Sequence, residues 1–273
     1  MNHIKKIFLC LLVTVLFSFN VLIAVERVLV SVAPYMEIVQ EIGGDSIIVE
    51  LMVPQGADSH NFEPTPKQIQ EALSAKIWFC IGEAFEKKAE IALQSQNASL
   101  AICNLRQVLP AEDKDPHIWM SLKLMMKQAE LIAKELETTL PEHRVAFKER
   151  LQILLGKLEA LDHEIKNILK GKQGEVILVA HPAFGYFCRD YGLTQLSIEE
   201  EGKEPTAKRL TELLKEARRL KIKKIFLHTC CGHKGAALIA KELGAQLVTI
   251  NSYSPHYFEM MLNIAHQFQE ADL

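Results

Sequence analysis

Between residues 147 and 168 the apolar side chains fall at Phe147, Leu151, Leu154, Leu158, Leu161, Ile165 and Ile168, in steps of four and three without a break. Only a continuous α-helix keeps residues at that spacing on one face. The spacing predicts a single helix over 143–169, roughly 40 Å long at about 1.5 Å per residue, with Gly171 and Gly174 beyond its end as stop signals. Lys148, Glu149, Lys157, Glu159, Asp162 and Lys166 fall off the stripe and form its wet side. Such a stripe can seam a coiled-coil dimer, or it can be covered by domains on either side of it. The flanking segments favour the second arrangement.

On each side of this helix stand four short β-branched or apolar runs: 27–32, 47–53, 76–80 and 99–104 before it, then 175–180, 193–198, 223–228 and 246–250 after it. Helical periodicity lies between most of them, including 35–42, 66–72 and 206–220. Strands alternating with helices predict parallel sheets, because each parallel pair needs a crossover. The expected fold class is therefore α/β. Two lobes, each with a mainly parallel four-stranded sheet flanked by helices, are joined by one long connecting helix. The expected divisions are a signal peptide over 1–24, a first lobe over 25–141, the linking helix over 142–171 and a second lobe over 172–273.

With 49% hydrophobic residues in 273, the chain can bury a sizeable core. A net charge of −3 gives no basic surplus for a phosphate backbone, so no nucleic-acid partner is expected. Lys5 and Lys6 precede an apolar run over 7–25 that is interrupted by Thr14, Ser18 and Asn20, which reads as an export signal cleaved after Ala24. A membrane anchor is the rival reading of the same run. Cys10 lacks the small residues that precede a lipidated cysteine, so a free periplasmic protein, monomeric through its intramolecular helix, is the expectation. Six cysteines are too few for a disulfide-built scaffold of this length. Cys80 and Cys103 could pair or remain buried thiols, and the adjacent Cys230 and Cys231, with His233, lack the spacing of a zinc knuckle or a redox motif.

Three histidines lie in marked surroundings: His60 in GADSHNFEPTP, His117 in DPHIWMS and His181 in AHPAFGYFCRDYGL. Each falls at the end of an expected strand or the start of an expected helix. In open α/β sheets such loops meet beyond the carboxyl ends of the strands. Imidazole is the commonest ligand for a borderline metal, and three from distant segments imply a site assembled by folding. Glu63, Pro64 and Pro66 are read as shaping the His60 loop, and Phe184, Tyr186 and Phe187 as core or as a cover for the cleft. His143, His163 and His256 are expected on the surface.

The segments RVLVSVAPYMEIVQEIGGDSIIVELMVPQGADSHNFEPTPKQIQ, DPHIWMS, HPAFGYFCRDYGL, KEPTAKRLTELLKEA and SPHYFEMMLNIAHQF resemble the zinc- and manganese-specific solute-binding proteins of ABC transporters. The likeness runs from about Arg27 to the C-terminus. It implies two lobes on a rigid helix, a metal in the cleft between them, and delivery to a membrane permease. His60 and His117 match the family's two ligands from the first lobe, and His181 the first from the second. Manganese-type members usually carry glutamate at the last of these positions, so three nitrogens favour zinc over manganese as the transported divalent ion, while iron, copper or cobalt would also accept nitrogen donors.

The chain departs from the pattern at the fourth ligand, where the resemblance implies an aspartate and the sequence has Asn251. A neutral amide leaves the ion's double charge uncompensated, so a water, a carboxylate from Glu199, Glu200 or Glu201, or His228 is the alternative donor. Ser59 replaces the proline usual before the first histidine, which loosens the loop, and the histidine-rich loop of some zinc carriers is absent from AEDKDPH. A zinc hydrolase and a metal-binding adhesin are the competing classes. A hydrolase would keep an open coordination position beside a general base, but no HExxH or GxSxG phrase is present.

Overall fold

Glycine and proline punctuation, with fully buried apolar residues between, explains how each lobe assembles. The computed structural model describes residues 25–110, 112–199, 205–229 and 234–271. The expected signal segment with Cys10, together with Glu200, Glu201, Cys230, Cys231 and His233, lies outside the described residues. In the first lobe β1 (Glu26–Val30), β2 (Ile47–Leu51), β3 (Ile77–Cys80) and β4 (Ala101–Asn104) form one parallel sheet in the order β2-β1-β3-β4. In the second, β5 (Val176–Val179), β6 (Thr194–Ser197), β7 (Lys224–His228) and β8 (Gln246–Ile250) repeat that order as β6-β5-β7-β8, again all parallel.

The crossovers are helices. Helix α1 (Pro34–Gly43) starts on a proline, whose missing N–H costs nothing in a first turn, and ends at Gly44, whose φ of 55° suits glycine. Its Tyr35, Ile38, Val39 and Ile42 are all sealed from solvent. Helix α2 (Pro66–Ala72) starts on Pro66, as expected of a proline in a first turn, and opens with a reciprocal cap between Thr65 and Gln68. Helices α3 (Ala84–Gln96) and α4 (Leu122–Thr139) complete the first lobe, α4 being capped by the Ser121 side chain. The second lobe adds α6 (Gly185–Tyr191), α7 (Ala207–Arg219), α8 (Lys234–Leu243) and α9 (Tyr257–Gln269).

Between the lobes runs α5 (Arg144–Ile168). Phe147, Leu154, Leu158, Leu161 and Ile165 are buried, as the four-and-three spacing requires, and contribute on the order of 10 kcal/mol of gross apolar burial. The stripe packs on α1 and α4 of the first lobe and on α9 of the second. The intramolecular use of the stripe therefore holds. One apolar cluster runs continuously from Val28 and Ile38 through α5 to Phe187 and Phe268. Two smaller clusters fill the outer sides of the sheets around Trp78 and Ile225. No helix among the described residues is long and apolar enough to cross a membrane.

Polar links also cross between the lobes. Trp119 donates its indole N–H to the Ser252 carbonyl at 2.8 Å, and Tyr257 donates to the Trp119 carbonyl at 2.7 Å. Ser121 donates to Asp190, which also pairs with Lys123. Cys80, Cys103 and Cys188 are buried free thiols, and burial pushes Cys103 up to about 12. The Cys80–Cys103 pairing is thus set aside in favour of two thiols. His143 is not a surface residue: a single turn tucks it against the Phe147 ring, with Nδ1 3.2 Å from Ser46 Oγ.

Candidate metal centre

Every group of the site comes from the carboxyl ends of the strands. His60 lies on the loop after β2, in a single turn whose start is capped by Asp58 accepting from the His60 amide at 3.0 Å. His117 precedes the short turn Ile118–Met120, and the Asp115 carboxylate accepts from its backbone N–H at 3.0 Å. His181 follows β5 by two residues. In each sheet the central strand has neighbours reached in opposite directions, and the crevice outside that point is where open α/β folds bind ligands.

There the three imidazoles meet. His60 Nε2, His117 Nε2 and His181 Nε2 form a triangle with all three sides at 3.3 Å. Three nitrogens about 2.0–2.1 Å from a tetrahedral zinc are separated by about this distance. His117 and His181 are buried, and His60 is the one ring of the three with partial access to solvent.

Each Nδ1 faces a carboxylate. His60 Nδ1 is 3.0 and 3.2 Å from the two Glu83 oxygens, His117 Nδ1 is 2.7 Å from Asp115 Oδ1, and His181 Nδ1 is 2.8 Å from Glu199 Oε2. A carboxylate can only accept, so Nδ1 carries the hydrogen in each ring and Nε2 keeps a lone pair. Three lone pairs directed at one point repel one another unless a cation sits between them. The three histidines could hold a metal ion, and their nitrogen donors suit a later transition ion better than manganese.

The carboxylates also answer the expected charge deficit. Glu83, Asp115 and Glu199 place three acids directly behind the rings, where they can offset a cation's charge across the imidazoles. Burial alone would raise Glu83, but the hydrogen bond and charge of His60, and a hydrogen bond from Ser59, hold its carboxyl below the usual range. Burial opposes charge on His60 as well; there Glu83 prevails and the ring titrates above its ordinary value. For the fully enclosed His117 burial wins over Asp115 and the value falls.

Asn251 is exposed, and its Oδ1 accepts from the Tyr253 amide at 3.0 Å, so its oxygen is engaged within its own loop. His228 ends β7 and is buried, with its ring 6.0 Å from that of His181, outside the triangle. Burial, reinforced by the neighbouring imidazoles, lowers it to about 3, so it is neutral. Glu199 stands behind His181 rather than beside the other donors. Ser59 does not loosen the His60 loop: it is 1% exposed and bonded to Glu83 at 2.8 Å. Phe184 and Phe187 pack on Phe268 as core. Tyr186 instead donates to Asp113 at 2.7 Å and, with Arg106, holds the backbone around Asp115.

Asp115 is visible in the DPH phrase once its role is known, two residues from its histidine. Glu83 and Tyr253 carry no such local signal, since they reach the site through the strands they follow.

Two parallel sheets of identical order, a spanning helix and a largely buried cluster of carboxylate-backed histidines between them define a metal-binding solute-binding protein of the kind that serves ABC transporters, a binding component and not an enzyme. The family of the periplasmic zinc-uptake complex component A matches residues 28–271, and the chain belongs to it. It is 30% identical over 274 residues to the "Putative metal-binding protein" of Chlamydia muridarum, covering 95% of this chain and 99% of that one. It is also 26% identical to the high-affinity zinc uptake system protein ZnuA of Bacillus subtilis, over 80% of this chain and 76% of that one. A solved ZnuA structure superposes with a TM-score of 0.87 at 32% identity, over 92% of this chain and all of the other. The zinc protein TroA of Treponema pallidum, at 19% identity and a TM-score of 0.81, shares the fold.

Proposed function

We propose that the protein captures one zinc ion outside the cytoplasm and surrenders it to the membrane permease of an ABC transporter. His60 and His117 hold the ion from the first lobe and His181 from the second. A water completes the tetrahedron, because Asn251 is committed to the Tyr253 amide. The observation that carries the reading is the 3.3 Å triangle of Nε2 atoms with a carboxylate behind each ring. The N-terminal segment acts as the export signal, the mature chain works as a monomer, and no nucleic acid is involved. Nothing among the described residues favours the adhesion alternative.

The test is elemental analysis of the mature protein purified from its own compartment, joined to a zinc titration. One zinc per chain and a rise in melting temperature on zinc addition are expected. A chain that takes up no zinc, or another metal only, overturns the reading.

A further inference from the structure

The phenol of Tyr253 belongs to the second lobe, on the loop after β8, yet its hydroxyl lies 2.9 Å from Ser59 Oγ in the His60 loop of the first, 194 residues away in sequence. The direction of this bond follows from its neighbour. Ser59 Oγ is 2.8 Å from Glu83 Oε1, and a serine hydroxyl has one proton, which the carboxylate must receive. Tyr253 therefore donates to Ser59, Ser59 donates to Glu83, and Glu83 accepts from His60 Nδ1. Two donors thus lead from the second lobe to Glu83 of the first, and the same carboxylate receives the Nδ1 proton of His60.

The ring of Tyr253 reaches the surroundings of the remaining two histidines. It meets Trp119 edge-on at 4.8 Å, and Trp119 in turn faces His117 at 5.4 Å. It meets His228 at 5.1 Å, and His228 faces His181 at 6.0 Å. One side chain is thus in contact with a group behind or beside each of the three rings. The Asn251 side chain fixes the start of its loop by accepting from the Tyr253 amide.

We propose that Tyr253 is a latch across the cleft that sets how long the metal stays bound. The proposal rests on the zinc-binding reading above. With the hydroxyl on Ser59, the 251–255 loop is tied to the loop that carries His60, the most accessible of the three rings. Departure of the ion requires that loop to swing away, which breaks the Tyr253–Ser59 bond and lets Glu83 and His60 relax together. Tyr253 is a positioning residue on this account, since it acts through Ser59 and Glu83 and not on the ion. Ser59, where proline would offer no hydroxyl, supplies the other half of the latch.

The test is chelator-driven zinc release followed by stopped flow on the full mature chain, for wild type, Tyr253→Phe, Ser59→Ala and the double variant. Tyr253→Phe keeps the ring and removes one neutral hydrogen bond, so a release rate about threefold to tenfold faster is expected, with the association rate and the metal-free melting temperature unchanged. Ser59→Ala should release at least as fast, and adding Tyr253→Phe to it should change nothing further. Release from Tyr253→Phe at the wild-type rate, or independent effects of the two substitutions, overturns the latch while leaving the zinc site in place. A wild-type chain that binds no zinc overturns the site itself, and the latch with it.

Discussion

His181 and Glu199 lie 2.8 Å apart, imidazole Nδ1 to carboxylate, although 18 residues and the whole of α6 and β6 separate them in the chain. The pairing decides which nitrogen of His181 is available, and so where the ion is held. Removing the charge while keeping the shape tests this directly. Glu199→Gln is expected to weaken zinc binding about tenfold to a hundredfold at unchanged stoichiometry, measured by competition with a chelator of known strength. Unchanged affinity would mean that Glu199 does not orient the ring.

Asn251→Asp restores the acid that the family resemblance calls for. With its oxygen turned onto the Tyr253 amide, the substituted carboxylate keeps that bond, and zinc affinity should stay within about threefold of wild type. A gain of tenfold or more would put the side chain on the ion.

Acid should empty the site through His60 first. Burial lowers its pKa, but Glu83 more than offsets this, so the ring takes up a proton at a higher pH than an ordinary histidine, near about 6.5, would. Zinc needs the unprotonated Nε2, so affinity is full at higher pH and falls as pH drops through the His60 value. Glu83→Gln should shift the onset of that fall to lower pH, seen in zinc titrations repeated between about pH 5 and 8.

Glu86 gives the metal-free protein a pH dependence of the opposite sense. Its carboxylate accepts from the amides of Ile81, Gly82 and Glu83 at 2.6–3.2 Å, which fixes the loop that presents Glu83, but burial pushes it up from 4.5 to about 7. A raised folded value means stability is full below about 4.5 and is lost as pH rises through 7, by on the order of 3 kcal/mol at most. Glu86→Gln should flatten that slope in denaturant titrations of the metal-free chain. An unchanged slope would assign the pH dependence to other groups.

The strands and α5 were legible because each is written in a local period: every apolar run became a strand to within about two residues, and the four-and-three stripe became Arg144–Ile168. The three histidines stood out because their phrases are distinctive and end strands. Of their supporting acids Glu83 did not, and Glu199 stood out only as a candidate ligand and not as the partner of His181, since the two are 23 and 18 residues from the rings they hold and only the sheet order brings them there. The same blindness to partners made Asn251 look like a charge deficit and His143 like a surface residue. In both cases the deciding contact is made by the fold.

The burial of the α5 stripe by α1, α4 and α9 together has a consequence for dissection of the chain. A cut anywhere along that helix would leave two fragments, each with a raw apolar flank that only the other can cover. The molecule is therefore expected to melt in a single transition and to resist separation into working halves, however distinct the two sheets look on paper.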